Sequence, residues 1–281
     1  MVQILSVYAA SMGEGKRTIS QNLAKILSQN NQKVLYVELD YFRPSFAITT
    51  GLSHPTKNTL SFMVNMKEKY SLKYEYFVTN AKEMITTNKR AGRHFNENIE
   101  FLTFPLEYDE TLFPKLVEND KVLYYDIQTF SKSFVDSFRD SKYDQVIFVL
   151  PNDIQSVFTI PIMQQSDLVL NIVSTNPTSL IESNKIYTIL QEIEELNIQS
   201  KWRTIIKKSS DAIPSSQFET FLSGQDIISI ISNDVEVVKN DLTDDMASEN
   251  FEIELSNAMK KLSLPVVGKE KKSFFKWGSD S

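Results

Sequence analysis

Cysteine is absent from the 281-residue sequence, so neither a disulfide framework nor a thiolate metal site can form. Histidine is nearly absent: His54 and His94 alone are too few for a histidine-based zinc site. Positive charge is not in excess either. Thirty Lys and Arg against 36 Asp and Glu leave a formal net charge of -6, which argues against a general nucleic-acid binder, whose surface is basic. No run of 18 or more apolar residues occurs, so no segment reads as a transmembrane helix. The opening MVQILSVYAAS lacks the positive n-region and long apolar core of a signal peptide and reads as a buried first strand. Together these absences fit a cytoplasmic protein.

What is present suits a large folded domain: 41% of residues are hydrophobic, enough for a substantial core, and the charges are mixed along the chain. Val- and Ile-rich runs predict strands at 3–10, 33–40, 99–106, 144–151, 167–174, 202–208 and 226–232. Helical periodicity fills the spaces between several of them: Ile19, Leu23, Ile26 and Leu27 share one face, and further helices are predicted at 127–140, 179–196 and 250–262. Apolar strands alternating with helices predict a three-layer α/β fold with a mainly parallel central sheet. One domain over 1–264 is the simplest division. Residues 66–98, of mixed charge and weak periodicity, read as a mobile or family-specific insertion, and 265–281 as a tail set off by proline and glycine.

The stretch ASMGEGKRTIS follows the first predicted strand and runs into a helix. Glycines let successive backbone N–H groups converge on phosphate oxygens at a helix N-terminus, and a lysine there adds charge. Gly13, Glu14, Gly15, Lys16, Arg17 and Thr18 are therefore the candidate nucleotide-binding residues. Ala10 stands at the first glycine of the strict pattern, and Arg17 stands where a Ser or Thr hydroxyl would hold Mg2+. Thr18 still offers a hydroxyl one residue later. Glu38 and Asp40 end the second predicted strand, on the edge where ligands of parallel sheets collect. Two roles stay open for them: metal-assisting carboxylates, or internal ion-pair partners of Lys16 and Arg17.

With GEGK, NLAKIL and VLYVELDYFRP in these positions, the chain resembles the deviant-Walker P-loop ATPases, a family that includes MinD, ParA, the TadZ/CpaE pilus-assembly proteins and the bacterial tyrosine kinases of capsule synthesis. The likeness to the kinases extends from Gly13–Thr18 to Glu38-Leu39-Asp40-Tyr41-Phe42-Arg43-Pro44 and GLSHPTKNTLSFMV (51–64). It resumes at Tyr143, Asp144, Pro151 and Asp167, so that residues 3–60 and 140–260 carry the resemblance. It implies the αβα P-loop fold, ATP or ADP as ligand, catalytic roles for Lys16 and Asp40 in an active member, and a homodimer.

Departures from the family fall on its metal chemistry. Besides Arg17, Val149 replaces the Walker B aspartate and Ser11 stands where MinD and ParA carry a signature lysine. Lys207 replaces the asparagine that the family often places near the base. Mg2+ is thus left short of ligands, with Glu38 and Asp40 as its remaining candidates.

The tail KEKKSFFKWG puts Lys271, Lys272 and Lys276 beside Phe274, Phe275 and Trp277, a mixture suited to an anionic membrane surface. The expected protein is a degenerate MinD/ParA-like scaffold or positioning adaptor. It is TadZ-like, serves partners of a membrane-associated assembly such as a pilus or secretion machine, hydrolyses ATP weakly or not at all, and lies peripherally on the inner face of the cell membrane. The alternative is an active ATPase or tyrosine-kinase-like phosphotransferase using Lys16, Thr18, Glu38 and Asp40. A DNA-partitioning ATPase is disfavoured by the acidic charge.

Overall fold

The computed structural model describes residues 2–69, 73–86, 94–112, 123–208, 217–232 and 248–266. All seven predicted strands form: β1 (Gln3–Tyr8), β2 (Val34–Glu38), β6 (Ile99–Leu102), β7 (Gln145–Val149), β8 (Leu168–Ser174), β9 (Trp202–Lys207) and β10 (Ile227–Ile231). They pair in parallel in the order β10-β9-β8-β1-β7-β2-β6. Along β1 and β2 alternate residues serve two cores. Leu5, Val7, Val34 and Tyr36 face one cluster, while Ile4, Tyr8, Leu35 and Val37 face another. A sheet that is apolar on both faces needs a helical layer on each.

One layer contains α1 (Lys16–Gln29) and α8 (Glu249–Lys261), which supply Ile19, Leu23, Leu27, Phe251, Leu255 and Met259. On the other face α4 (Leu123–Arg139), α5 (Thr159–Gln165) and α6 (Pro177–Glu192) bring Phe134, Phe138, Ile162, Met163, Tyr187 and Leu190. Helix α6 starts where its sequence signals a start: the Asn176 side chain accepts from Thr178 N–H, and Pro177 occupies the first turn. The remaining helices are short or peripheral: α2 (Phe46–Thr50), α3 (Thr59–Lys69) and α7 (Phe218–Phe221).

One departure from expectation has a local cause. Predicted strand 99–106 stops at Leu102, and two residues later the Phe104 N–H is taken by the Glu38 carboxylate at 3.3 Å instead of continuing the ladder. Within the stretch 66–98, read as a mobile or family-specific insertion, the described residues include two short strands. Strand β4 (Thr79–Asn80) adds an antiparallel edge to β6, and β5 (Ile85–Thr86) pairs with β3 (Leu52–Ser53) in a separate ribbon. Two-residue strands leave no alternation for a sequence pattern to reveal. The basic-aromatic tail lies outside the described residues, and so do its site residues Lys271, Lys272, Phe274, Phe275, Lys276 and Trp277.

Strand β1 is flanked by β7 and β8, although the chain leaves it for β2. The crossover direction therefore reverses at β1, and the crevice beyond its carboxyl end is where such folds bind ligands.

Candidate functional site

The turn out of β1 needs backbone that only glycine adopts without cost. Gly13 and Gly15 have φ of 79° and 88°, both left-handed. Gly15 directly precedes α1, has no side chain to cap it, and is followed by no acidic residue in the first turn. The start of α1 thus carries neither a side-chain cap nor an acidic residue against the positive end of its dipole, an arrangement that favours an anion.

Long-range contacts fix this loop. Asn152, just beyond β7, donates through Nδ2 to the carbonyls of Ala9 and Ser11, both at 2.7 Å. The buried Glu14 carboxylate accepts the backbone N–H of Ser174 at the end of β8, and Ser11 Oγ donates to Glu182 on α6. From the end of β9 the Lys207 side chain crosses over Gly15 so closely that a Cβ there would stand 2.5 Å from Lys207 Cδ.

Lys16 points inward and is 9% exposed. Its ammonium donates to Asp40 Oδ2 at 2.8 Å, to Asn152 Oδ1 at 2.9 Å and to the Leu150 carbonyl. Three donors meet three acceptors. Burial lowers the Lys16 pKa, while the charges of Asp40 and, more weakly, Glu38 hold it up. The ion pair open to Asp40 in the sequence is thus formed, with Lys16 as its partner.

Glu38 is used differently. One carboxylate oxygen accepts the N–H groups of Ser45 (2.6 Å) and Phe46 (3.0 Å) at the start of α2, and the other accepts Phe104 N–H. Full burial pushes its carboxyl up to about 6, against the downward pull of those three N–H groups. The carboxylate is an internal strut joining β2, α2 and the end of β6.

Arg17 is partly buried near the start of α1, and its charge reaches the Tyr36 hydroxyl, which lies 3.1 Å from Ser20 Oγ. Thr18 is buried one residue further along α1. Val149 is buried in the ladder between Val7 and Glu38, so the Walker B position holds core rather than a metal-directed group. Among the described residues no group of three or more His, Cys, Asp or Glu could hold a metal ion. The residues therefore suit a phosphate, through loop amides and cations. Of the two carboxylates named as metal candidates, Asp40 is engaged by Lys16 and Glu38 by backbone amides.

The structure brings Gly13, Glu14, Gly15, Lys16, Arg17, Thr18 and Asp40 together around the loop, with Glu38 behind them. Sequence reasoning missed Asn152 and the Leu150 carbonyl. Only the neighbouring Pro151 was noted, and nothing local marks an asparagine that crosses to a loop more than 130 residues away. Asp144 and Asp167 act at the other end of the strands, accepting the N–H groups of Lys33 and Ile4, both at 2.8 Å.

A glycine loop ahead of α1, a lysine at the helix start and a reversal of strand order at β1 define a P-loop α/β protein. The profile of the AAA domain matches residues 2–204, and the chain belongs to that family. Among solved structures it is similar to the septum site-determining protein MinD of Pyrococcus horikoshii complexed with Mg-ADP (TM-score 0.67, 14% identity, 93% of this chain and 96% of that one). A ParA family ATPase from Chlorobium tepidum matches at TM-score 0.67 and 15% identity, over 93% and 98% of the two chains. MinD in the MinC:MinD complex of Aquifex aeolicus gives 0.67 and 14%, over 96% and 99%. At these identities the likeness establishes the fold, which is that of the MinD/ParA-type P-loop ATPases. No curated protein sequence matches the chain.

Proposed function

We propose that this protein is a MinD/ParA-type scaffold or positioning adaptor that keeps a phosphate-binding loop and has turned the metal-organising part of the site to structural use. The observation that carries this reading is the closed set around Lys16, in which Asp40, Asn152 and the Leu150 carbonyl take all three ammonium donors. Phosphoryl transfer needs charge neutralisation and positioning at the transferred group. Here the lysine and the carboxylate that would serve it neutralise each other, Glu38 holds backbone, and Val149 is core.

ATP or ADP is the ligand class we favour, supported by the loop's geometry and by the Mg-ADP of the Pyrococcus protein of the same fold. That relative lends no support to a doubt about Mg2+, so the metal is the point to test. Calorimetric titration with ATP and ADP, with and without Mg2+, should give binding with little or no turnover. Magnesium-dependent hydrolysis that disappears in Lys16→Ala would sink the scaffold reading in favour of an active ATPase or phosphotransferase.

The reading includes a homodimer and peripheral attachment to anionic membrane through the tail. No helix among the described residues is long and apolar enough to cross a membrane. Co-sedimentation with phosphatidylserine vesicles should be lost on removing residues 269–281 or weakened by Phe274→Ser. Binding unchanged by either would eliminate the membrane role.

A further inference from the structure

The amino edge of the sheet, opposite to the phosphate loop, carries a cleft of about 320 Å3. Three segments wall it. Glu100 stands near the start of β6, Lys142 and Tyr143 lie in the turn between α4 and β7, and Tyr74 and Glu75 belong to a short helical turn (Tyr74–Tyr76) ahead of β4. The rings are set in the fold: Tyr74 packs on Phe138 of α4 with centroids 4.1 Å apart, and both tyrosines are buried.

Polar groups converge in this cleft. The Tyr143 hydroxyl donates to one oxygen of Glu100, and Lys142 Nζ donates to the other at 2.7 Å. Burial raises the pKa of both phenols, that of Tyr74 to about 12, and the charges of Glu75 and Glu100 raise them further. Both hydroxyls therefore stay neutral, and the charged groups lining the cleft are two carboxylates and one ammonium.

That ammonium shows what the cleft takes. Lys142 Nζ sits on a Glu100 oxygen and 5.3 Å from the centre of the Tyr143 ring, so a charge-assisted hydrogen bond and an aromatic face hold it together. Its side chain is nevertheless 61% exposed, and an ion pair of that exposure is weakly held. The acceptor and the ring belong to the folded body, whereas the cation reaches in from the rim. A second cation with better contacts would take its place, and Glu75 leaves the lining with one negative charge in excess.

We propose that this cleft binds an organic cation, an ammonium or guanidinium on an apolar stem, which displaces Lys142 from Glu100, lies against the Tyr143 ring and is also drawn by Glu75. The cation is a free amine or a basic side chain of a partner protein, the chemistry being the same. A ligand there leaves the phosphate loop at the opposite edge uncovered, so the proposal stands apart from the nucleotide reading.

The test is titration of the 15N-labelled full chain with agmatine, spermidine and the peptide acetyl-Gly-Arg-Gly-amide, followed through the backbone amide shifts of residues 74, 75, 100 and 141–143. Wild type, Lys142→Met, Glu75→Gln and Glu100→Gln are compared, with circular dichroism to check each fold. Wild type is expected to bind with shifts centred on these amides, Lys142→Met to bind about threefold more tightly, and Glu75→Gln and Glu100→Gln to bind about threefold and tenfold more weakly. Preference for agmatine or spermidine identifies a free amine, and preference for the peptide identifies a partner's side chain; both support the proposal. Absence of shifts at these amides with all three probes, in wild type and Lys142→Met alike, overturns it. Binding by Lys142→Met that is no tighter than wild type overturns it too, as does undiminished binding by the two glutamine variants. Glu75 is exposed, so its variant keeps the test open to failure where Glu100→Gln does not fold.

Discussion

Helix α1 carries two buried lysines nine residues apart, and they have different surroundings. Lys25 donates to Glu252 on α8, a clamp between two helices of one layer. Lys16, at the head of the same helix, meets a carboxylate, a side-chain amide and a backbone carbonyl beneath a glycine loop at the carboxyl edge of the sheet. Both are paired and both are buried, so burial and pairing do not mark a site. What distinguishes Lys16 is that two of its three acceptors belong to the turn after β7, one of which, Asn152, also ties the loop.

The comparison can be broken by mutation, and the largest effects should come from single replacements. Lys16→Met strands the buried Asp40 charge and should cost about 4 kcal/mol by urea denaturation, with Lys25→Met similar. Paired replacement should separate the two. Lys25→Met/Glu252→Leu should return to within about 1 kcal/mol of wild type, because a buried ion pair can be exchanged for apolar packing. Lys16→Met/Asp40→Leu should remain about 2 kcal/mol below it, since the Leu150 carbonyl and Asn152 Oδ1 lose their donor. Equal recovery in both pairs would show that Lys16 is only a second clamp.

Glu38 sharpens the contrast through pH. Its folded pKa of about 6 lies above the ordinary 4.5, so the native state holds this proton more tightly than the unfolded chain. The stability this contributes is complete below about pH 4.5 and is lost as pH rises through about 6, a change of about 2 kcal/mol. The difference in unfolding free energy between wild type and Glu38→Gln, followed across that window, should show this slope. The smallest effect is expected from Gly15→Ala, at about 1–2 kcal/mol for the left-handed backbone, with displacement of Lys207 added. It should weaken ligand binding more than its stability cost suggests.

The sheet was legible because its central strands β1, β2, β7 and β8 are compact, largely apolar runs buried on both faces, a property of the local sequence. The segment 66–98 was not, since its strands are two residues long and exist through their partners at Phe101, Glu100, Leu52 and Ser53. At the site, the loop and Asp40 could be read from spacing. The role of Glu38 could not: a carboxylate at a strand end reads equally as a metal ligand, and only the approach of Ser45, Phe46 and Phe104 N–H makes it a strut. Asn152 was invisible for the same reason, being defined by contacts 136 to 143 positions away.

Those separations also order events in time. The loop is encoded in the first 18 residues and Asp40 follows soon after, but Lys16 finds its other two acceptors only once residues 150 and 152 exist, and Glu14 its donor only with residue 174. During synthesis the motif must wait in water until β7 and β8 have been made and inserted on either side of β1. A chain truncated before residue 174 would contain every residue of the phosphate loop and lack the partners of Glu14 and Ser11. Whatever recognises the finished loop therefore distinguishes a completed sheet from a nascent one.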